Sequence, residues 1–506
     1  MSLLGIDIGT SGCKAGAFTV TGHCLGIAYR EYPTLQVKPG QAELDSRIVI
    51  QRLKDAIAEV VSHTGGDLVT ALCISAMGEA MTPVDENREI IGNSILSVDL
   101  RGAEHITRIE EDLGQEAFYA INPNILAPNY SLPKLLWLRE NNPAEFQGAW
   151  KYLLWCDLVS CLFGGEPITS YSHANRTLLF DLYKEDWSEP LLAWSGIPKD
   201  KLPTVAPSGT ITGTVASQIA RELGLPDKVK IILGGHDQCC NALGAGVISG
   251  GKAVCGIGTI ECIAPVYDQV PPTADMLATR LNVEHHVLPG LYMSFIYNQS
   301  GVLMKWFRDT FAQADKKLLG ADIDIYETLL AEMPEAPTGL LTLPHFEITG
   351  APDFISNSAG VIAGLHTNTP RGAILKGLIE GATYYFLDSL NALNRLGIDT
   401  SEFIATGGGA KSDRLLQIKA DIFGAPFVRL RHTECGIAGA AMLAGMATGV
   451  YHSAQEATDQ FVFREKSFEP DMEKNRRYTD IYSRYRRLYP ALKDILTEIN
   501  LNEHSG

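Results

Sequence analysis

The chain lacks the glycine signatures that most directly mark a nucleotide site. No GxxxxGK[ST] segment occurs, and no GxGxxG opens a convincing strand–helix unit with a suitably placed acid. No apolar run reaches the roughly 20 residues of a membrane span. The apolar start has no basic leader and is interrupted by Asp7, so a signal peptide is not expected. Zinc-type C-x-x-C repetition is missing among the 10 cysteines. Cys239 and Cys240 are adjacent, which suits neither a shared tetrahedral metal nor an ordinary disulfide. Reduced, structural thiols and a cytoplasmic location are the expectation. Positive charge is scarce: 42 Lys and Arg against 59 Asp and Glu give −17, which argues against a nucleic-acid surface. Small anions are not excluded, because backbone amides hold phosphate inside acidic proteins.

What is present is an ordinary globular composition, 45% hydrophobic and 20% charged, in a chain of 506 residues. That length exceeds one hydrophobic core and predicts two domains. "LLGIDIG", "CKAGAFT" and "CLGIAYREY" read as a strand meander. Helical periodicity follows, with Ile48, Ile50, Leu53, Ile57 and Val60 on one side. "LVTALCISAM" predicts a central strand, and "AWKYLLWCDLVSCLFGG" a buried helix containing Asp157, whose carboxylate fits a helix cap or solvent contact as well as a ligand contact. "GKAVCGIGTIECIAPV" repeats the pattern of the opening: apolar strand, Gly-x-Gly-Thr corner, apolar strand. Strands and helices alternate through both halves. The reading is an α/β protein of two lobes with a cleft, residues 1–247 and 248–506.

Three glycine corners are candidate phosphate or nucleoside contacts. Gly9, Thr10 and Ser11 follow the first strand and offer amides and hydroxyls to an oxyanion, with Lys14 beyond them. Asp7 cannot donate to phosphate but suits Mg2+ or a metal-bound water. Gly258 and Thr259 form the second corner, and Gly408, Gly409, Ala410 and Ser412 the third. Tight strand-to-helix packing explains each corner taken singly. Asp237, in "IILGGHDQCC", stands between a strand and a small-residue helix, where a buried carboxylate is costly. It is either an acceptor for an alcohol proton, with a possible metal role, or an N-cap. His236 beside it reads as a proton shuttle or a local hydrogen-bonding group. Glu79 after a strand, and Asp99 with Arg101 two residues apart, offer paired groups to a polyhydroxylated ligand; an Asp99–Arg101 surface pair is the alternative. Ser172, His173, Asn175 and Arg176 fit a braced hairpin equally well.

In order and spacing, "GIDIGTSGCK", "SVDLR", "PKLLWL", "ANRTLLFD", "GGHDQCCNALGAG", "GIGT", "GLIEGATYYFLDSL", "ATGGGAKSD" and "ECGIAGAAMLAG" resemble the FGGY family of carbohydrate kinases. The resemblance implies the two-lobed actin/hexokinase-like ATPase fold, built of ribonuclease H-like domains, and ATP-dependent phosphorylation of a small sugar or polyol with Mg2+. It places the catalytic base on Asp237, the first phosphate loop on Gly9 to Ser11 after Asp7, the second on Gly258 and Thr259, and the adenosine side on Gly408 to Ala410. Asp7 and Asp237 are the implied metal positions, and a homodimer is implied. The sugar segment departs from the pattern. Xylulokinases usually carry Met-His where Met77-Gly78 stands, glycerol kinases Arg-Glu where Gly78-Glu79 stands, and Ser97 replaces the usual Trp before Asp99 and Arg101. The similarity favours a xylulokinase-like ketopentose kinase; other pentuloses, tetritols, glycerol and gluconate stay open, as does a sugar-binding regulator. A chaperone or filament protein on the same core would lack the polyol site.

Overall fold

The computed structural model describes residues 1–318 and 324–503 and is built on two large sheets. In the first, β1 (Ser2–Ile8), β2 (Gly12–Thr19) and β3 (Cys24–Glu31) form the expected antiparallel meander. Asp45 caps α1 (Ser46–Ser62) by accepting the Arg47 and Ile48 amides, and so sets its rotational phase. Val49, Ile50, Leu53, Ala56, Ile57 and Val60 turn inward. Ile48, expected on that face, is instead 41% exposed, because one residue of a helix is a rotation of about 100°. β4 (Val69–Ala76) is buried on both faces and runs parallel to β1. With β5 (Ile211–Thr214) and β6 (Lys230–His236) the sheet order is β5-β6-β4-β1-β2-β3. α2 (Asp237–Gly244) starts directly from the end of β6.

The region expected as one helix over residues 149–165 is divided. Lys151–Leu153 pairs as a strand with Thr82–Val84, and the helix begins at Trp155 once that ladder has satisfied the preceding backbone. Asp157 accepts the Leu154 amide at 2.9 Å, the cap alternative of the sequence reading.

The second sheet contains β7 (Lys252–Ile257), β8 (Glu261–Tyr267), β9 (Glu284–His285), β10 (Tyr292–Met293) and β11 (Ile296–Asn298). After α3 (Arg371–Arg395) come β12 (Glu402–Thr406), α4 (Asp413–Phe423), β13 (Phe427–Leu430), α5 (Cys435–Ala447) and β14 (Arg464–Phe468). Its order is β9-β10-β8-β7-β12-β13-β14, with β11 also pairing β8. β7 repeats the situation of β1: an antiparallel hairpin partner on one side, a parallel strand on the other. The short sequence similarity of the two corners is thus matched by equivalent strand surroundings.

α5 follows the second sheet's strands in sequence, yet packs against β1, β4 and α2. Its contacts are backbone to backbone. A Cβ on Gly439 would lie 2.0 Å from the Cys240 carbonyl oxygen, and one on Gly244 would lie 1.9 Å from that of Cys435. Such separations admit only hydrogen at either position. Gly439→Val is therefore expected to destabilise the protein by at least about 1–3 kcal/mol, seen as a lower melting temperature or lost soluble yield. An unchanged melting curve would show that the helices do not cross this closely.

Candidate active site

The first corner has an open inner surface. Gly9 donates to the Gly12 carbonyl at 3.0 Å and Tyr32 Oη donates to the Gly9 carbonyl at 2.6 Å, while Thr10 and Ser11 stay exposed. Asp7 lies at the sheet's end, its Oδ1 accepting from Ser75 Oγ at 2.7 Å. Burial, and then the negative charge of Asp237, push its carboxyl up to about 7; Ser75 only partly opposes them. Lys14 is turned to Glu434 at 2.6 Å, so its charge is already paired.

Gly258 and Thr259, between β7 and β8, share a cleft of about 810 Å³ with Gly408, Gly409 and Ser412. The second and third corners are packed together: a Cβ on Gly409 would come within 2.3 Å of Ile257 Cγ2. Gly408 has open space around it, and Ser412 Oγ caps α4 by accepting the Leu415 amide at 3.3 Å. Ala410 is buried in the core and does not line the cleft, so its side chain is unavailable to a ligand.

A second cavity, about 390 Å³, is lined by Thr10, Met77, Gly78, Glu79, Ser97, Arg176, His236, Asp237, Ile260, Asn282, Phe295 and Tyr297 among others. Thr259 faces the first cavity and Ile260 the second, so one hairpin tip borders both. Asp237 sits at the first turn of α2. Burial raises its carboxyl above the ordinary range; neighbouring His236 opposes the rise and Glu79 adds to it. Opposite, Arg176 Nε donates to Glu79 Oε1 at 2.9 Å, and its guanidinium lies over Tyr130, 4.8 Å from the ring centroid. The cavity thus combines a proton acceptor, a fixed ion pair and apolar walls beside an amide-rich corner.

The same order of parts appears in known proteins. Residues 2–244 match the N-terminal domain of the FGGY family of carbohydrate kinases, and residues 254–448 match its C-terminal domain. The chain belongs to the FGGY family of carbohydrate kinases. A xylulose kinase of Bacillus subtilis is 28% identical over 502 residues, covering 98% of each chain. Two Lactobacillus acidophilus crystal structures, a ligand-bound xylulose kinase and a gluconate kinase, each superpose with TM-score 0.88 at 23% identity, covering 98% of this chain and 99% of the other. The protein is accordingly an ATP-dependent sugar kinase of the FGGY family, with its actin/hexokinase-like α/β fold.

Within this kinase, Asp99 and Arg101 are placed differently from the expectation that both face a ligand. They follow a turn rather than lying in an extended strand, and line neither cavity described above. Asp99 is fully buried and accepts from the Ala42 amide at 2.7 Å, the Arg101 amide at 2.8 Å and Arg101 Nη2 at 2.7 Å. Burial alone would raise its carboxyl; the bonds from Arg101 outweigh that and hold it below the usual range. Arg101 also pairs Glu43 at 2.7 Å and stacks on Trp137. Their neighbours Ser97 and Val98 reach the pocket instead.

Arg176, one alternative for a hairpin brace, lines the pocket, while Ser172 and His173 brace the strand ends: Ser172 Oγ accepts the His236 amide at 3.0 Å, and His173 Nε2 is 3.1 Å from the Ala76 carbonyl. Glu284 was missed. Unlike Asp7, it stands in a largely polar segment, "NVEHHV", whose strand is only Glu284–His285, so no apolar-strand pattern singled it out.

The titration of Asp7 has a definite sign. Its folded value of about 7 exceeds the ordinary 3.8, so the folded state holds the proton more tightly and loses stability as pH rises between these values. Asp7→Asn, which keeps a hydrogen-bonding partner for Ser75, is expected to raise the melting temperature of the ligand-free kinase more at pH 8 than at pH 5. Equal gains at both pH values would contradict the elevated carboxyl.

Proposed function

We propose that this kinase transfers the γ-phosphoryl group of ATP to a terminal hydroxyl of a ketopentose, D-xylulose giving D-xylulose 5-phosphate. The observation that carries the proposal is the hairpin tip at Thr259 and Ile260. A phosphate in the larger cavity and an alcohol in the smaller one would meet there, with Asp237 in the wall of the second. The similarity to the B. subtilis xylulose kinase along nearly the whole chain supports the choice of sugar.

In this reading, amides of the Gly9–Ser11 and Gly258–Thr259 corners hold the triphosphate, and the Gly408–Ser412 corner flanks the nucleoside. The sugar oxygen attacks the γ-phosphorus in line. As that bond forms, its proton passes to Asp237; the bond from the γ-phosphorus to the bridging oxygen breaks, and ADP leaves with the electron pair. Glu79 and Arg176, locked to each other, orient the sugar hydroxyls, and lobe closure excludes water. The elevated Asp7 carboxyl near the charge of Asp237 fits a divalent cation: both are hard oxygen donors, and their mutual repulsion would be relieved. Bound there, Mg2+ would neutralise charge on the triphosphate.

Sugar acids are the second reading, favoured by Arg280. It lines the small cavity, where its charge acts on Asp353 from beyond ion-pair distance. A coupled ADP-release screen across ketopentoses, aldopentoses, polyols, glycerol and gluconate separates the two. D-xylulose is expected to lead in kcat/KM by at least about tenfold, or about 1.4 kcal/mol of transition-state stabilisation. Asp237→Asn should lower kcat on the preferred sugar about 10²- to 10⁴-fold with little change in ATP affinity. A leading rate on gluconate overturns the ketopentose; near-parent kcat in Asp237→Asn overturns the base.

A further inference from the structure

The wall of the small cavity contains a buried chain of charged groups that reaches from the first sheet to the second. His236 ends β6 and Glu284 opens β9. The imidazole Nδ1 is 2.7 Å from Glu284 Oε1, and Nε2 is 3.2 Å from Asp237 Oδ1. An ionised carboxylate only accepts, so Nδ1 donates to Glu284, while Nε2 meets Asp237 as an ion-pair contact. The ring has little freedom elsewhere. Phe295 meets it edge-on at 5.3 Å, and the backbone amide of His236 donates to Ser172 Oγ at 3.0 Å. Glu284 is fully buried; it also accepts from Cys239 Sγ at 3.2 Å and faces Arg176 Nη1 at 3.6 Å.

Resting on the proposed role of Asp237, we propose that His236 is a positioning residue: anchored by Glu284, its imidazole fixes the Asp237 carboxylate toward the acceptor hydroxyl. Apart from that anchor, Asp237 at the first turn of α2 is held only by its chain neighbour Gln238, among the contacts that act on its carboxyl. Proton transfer in line with phosphoryl attack is sensitive to an error of about 1 Å, which can cost 10²-fold. Because Glu284 belongs to the second sheet, the base is aligned only while β9 is docked on the end of β6. His236, Cys239 and Glu284 also lie within 4.8 Å of one another, a spacing open to a metal ion. Two features favour the positioning role. The three groups already satisfy one another by hydrogen bonds, and the guanidinium of Arg176 supplies the neighbouring positive charge.

The test is a double-mutant cycle on the parent's sugar-dependent ADP release, with melting curves for every variant. His236→Ala and Glu284→Gln are each expected to lower kcat about 10- to 100-fold while KM for ATP stays within about threefold. His236→Gln, whose amide still donates to Asp237, is expected to recover at least about fivefold of the loss. The double variant H236A/E284Q should be no slower than His236→Ala alone, because Glu284 acts through the ring. Should His236→Ala not fold, His236→Leu, which fills much of the space but cannot donate, replaces it in the cycle. Losses that multiply in the double variant, a rise in KM for ATP matching the fall in kcat, or near-parent kcat in the single variants overturns the assignment and leaves the kinase reading standing. A parent that phosphorylates no sugar removes that reading, and this inference with it.

Discussion

The close crossing of α2 and α5 is the contact on which the site depends. Gly244 and Gly439 allow the two helix backbones to touch, and Gly5 does the same for β1, where a Cβ would meet the Ile437 carbonyl at 1.9 Å. β1 ends near Asp7, and α2 begins with Asp237. Seating α5 on both therefore fixes the relation between the first glycine corner and the Asp237 carboxylate. Small side chains here are not simple space-savers. Each added methyl group would displace a backbone, and with it one of the two acids.

Bringing acids together in a protein of net charge −17 raises the question of what keeps them in place. The buried carboxylates are handled in two ways. Glu284 and Glu261 are given cations: His236 and Arg176 face the first, and Lys419 Nζ lies 2.5 Å from the second, beneath the Gly258–Thr259 hairpin. Removing one partner from such a pair leaves a buried charge uncompensated, which costs far more than the pair contributes. Asp7 and Asp237 receive no such full compensation, and burial raises both carboxyls. Of these two, Asp237 lines the small cavity and Asp7 lies beside the first glycine corner. Lys14, the cation nearest the first corner in sequence, is held by Glu434.

Much of this was legible in the sequence because it is local. Strand–glycine–strand patterns gave both hairpins, the small-residue run gave α5, and the position of Asp237 between strand and helix followed from periodicity. What escaped was set by partners distant in the chain. Asp99 and Arg101 read as ligand groups on spacing alone, but the Ala42 amide, Glu43 and Trp137 claim them. Arg176 and Glu284 gain meaning only when the fold brings Glu79, 97 residues away from Arg176, and His236, 48 residues from Glu284, beside them. Ala410 belongs to a glycine corner by sequence and to the core by the direction of its Cβ.

Two residues of the small cavity, Gly78 and His236, turn out to share one volume. A Cβ at position 78 would lie 3.0 Å from Arg176 Cγ and 3.1 Å from His236 Cδ2 and Nε2. Those distances are tighter than ordinary contact, so a side chain at 78 would require the imidazole or the Arg176 stem to give by a few tenths of an ångström. Both are fastened to Glu284, so any such shift strains buried ion pairs. Glycine after Met77 and histidine before Asp237 are therefore one physical choice expressed at two distant positions. Here the pocket wall is supplied by His236 at the end of β6, whose Nε2 lies 3.2 Å from Asp237 Oδ1.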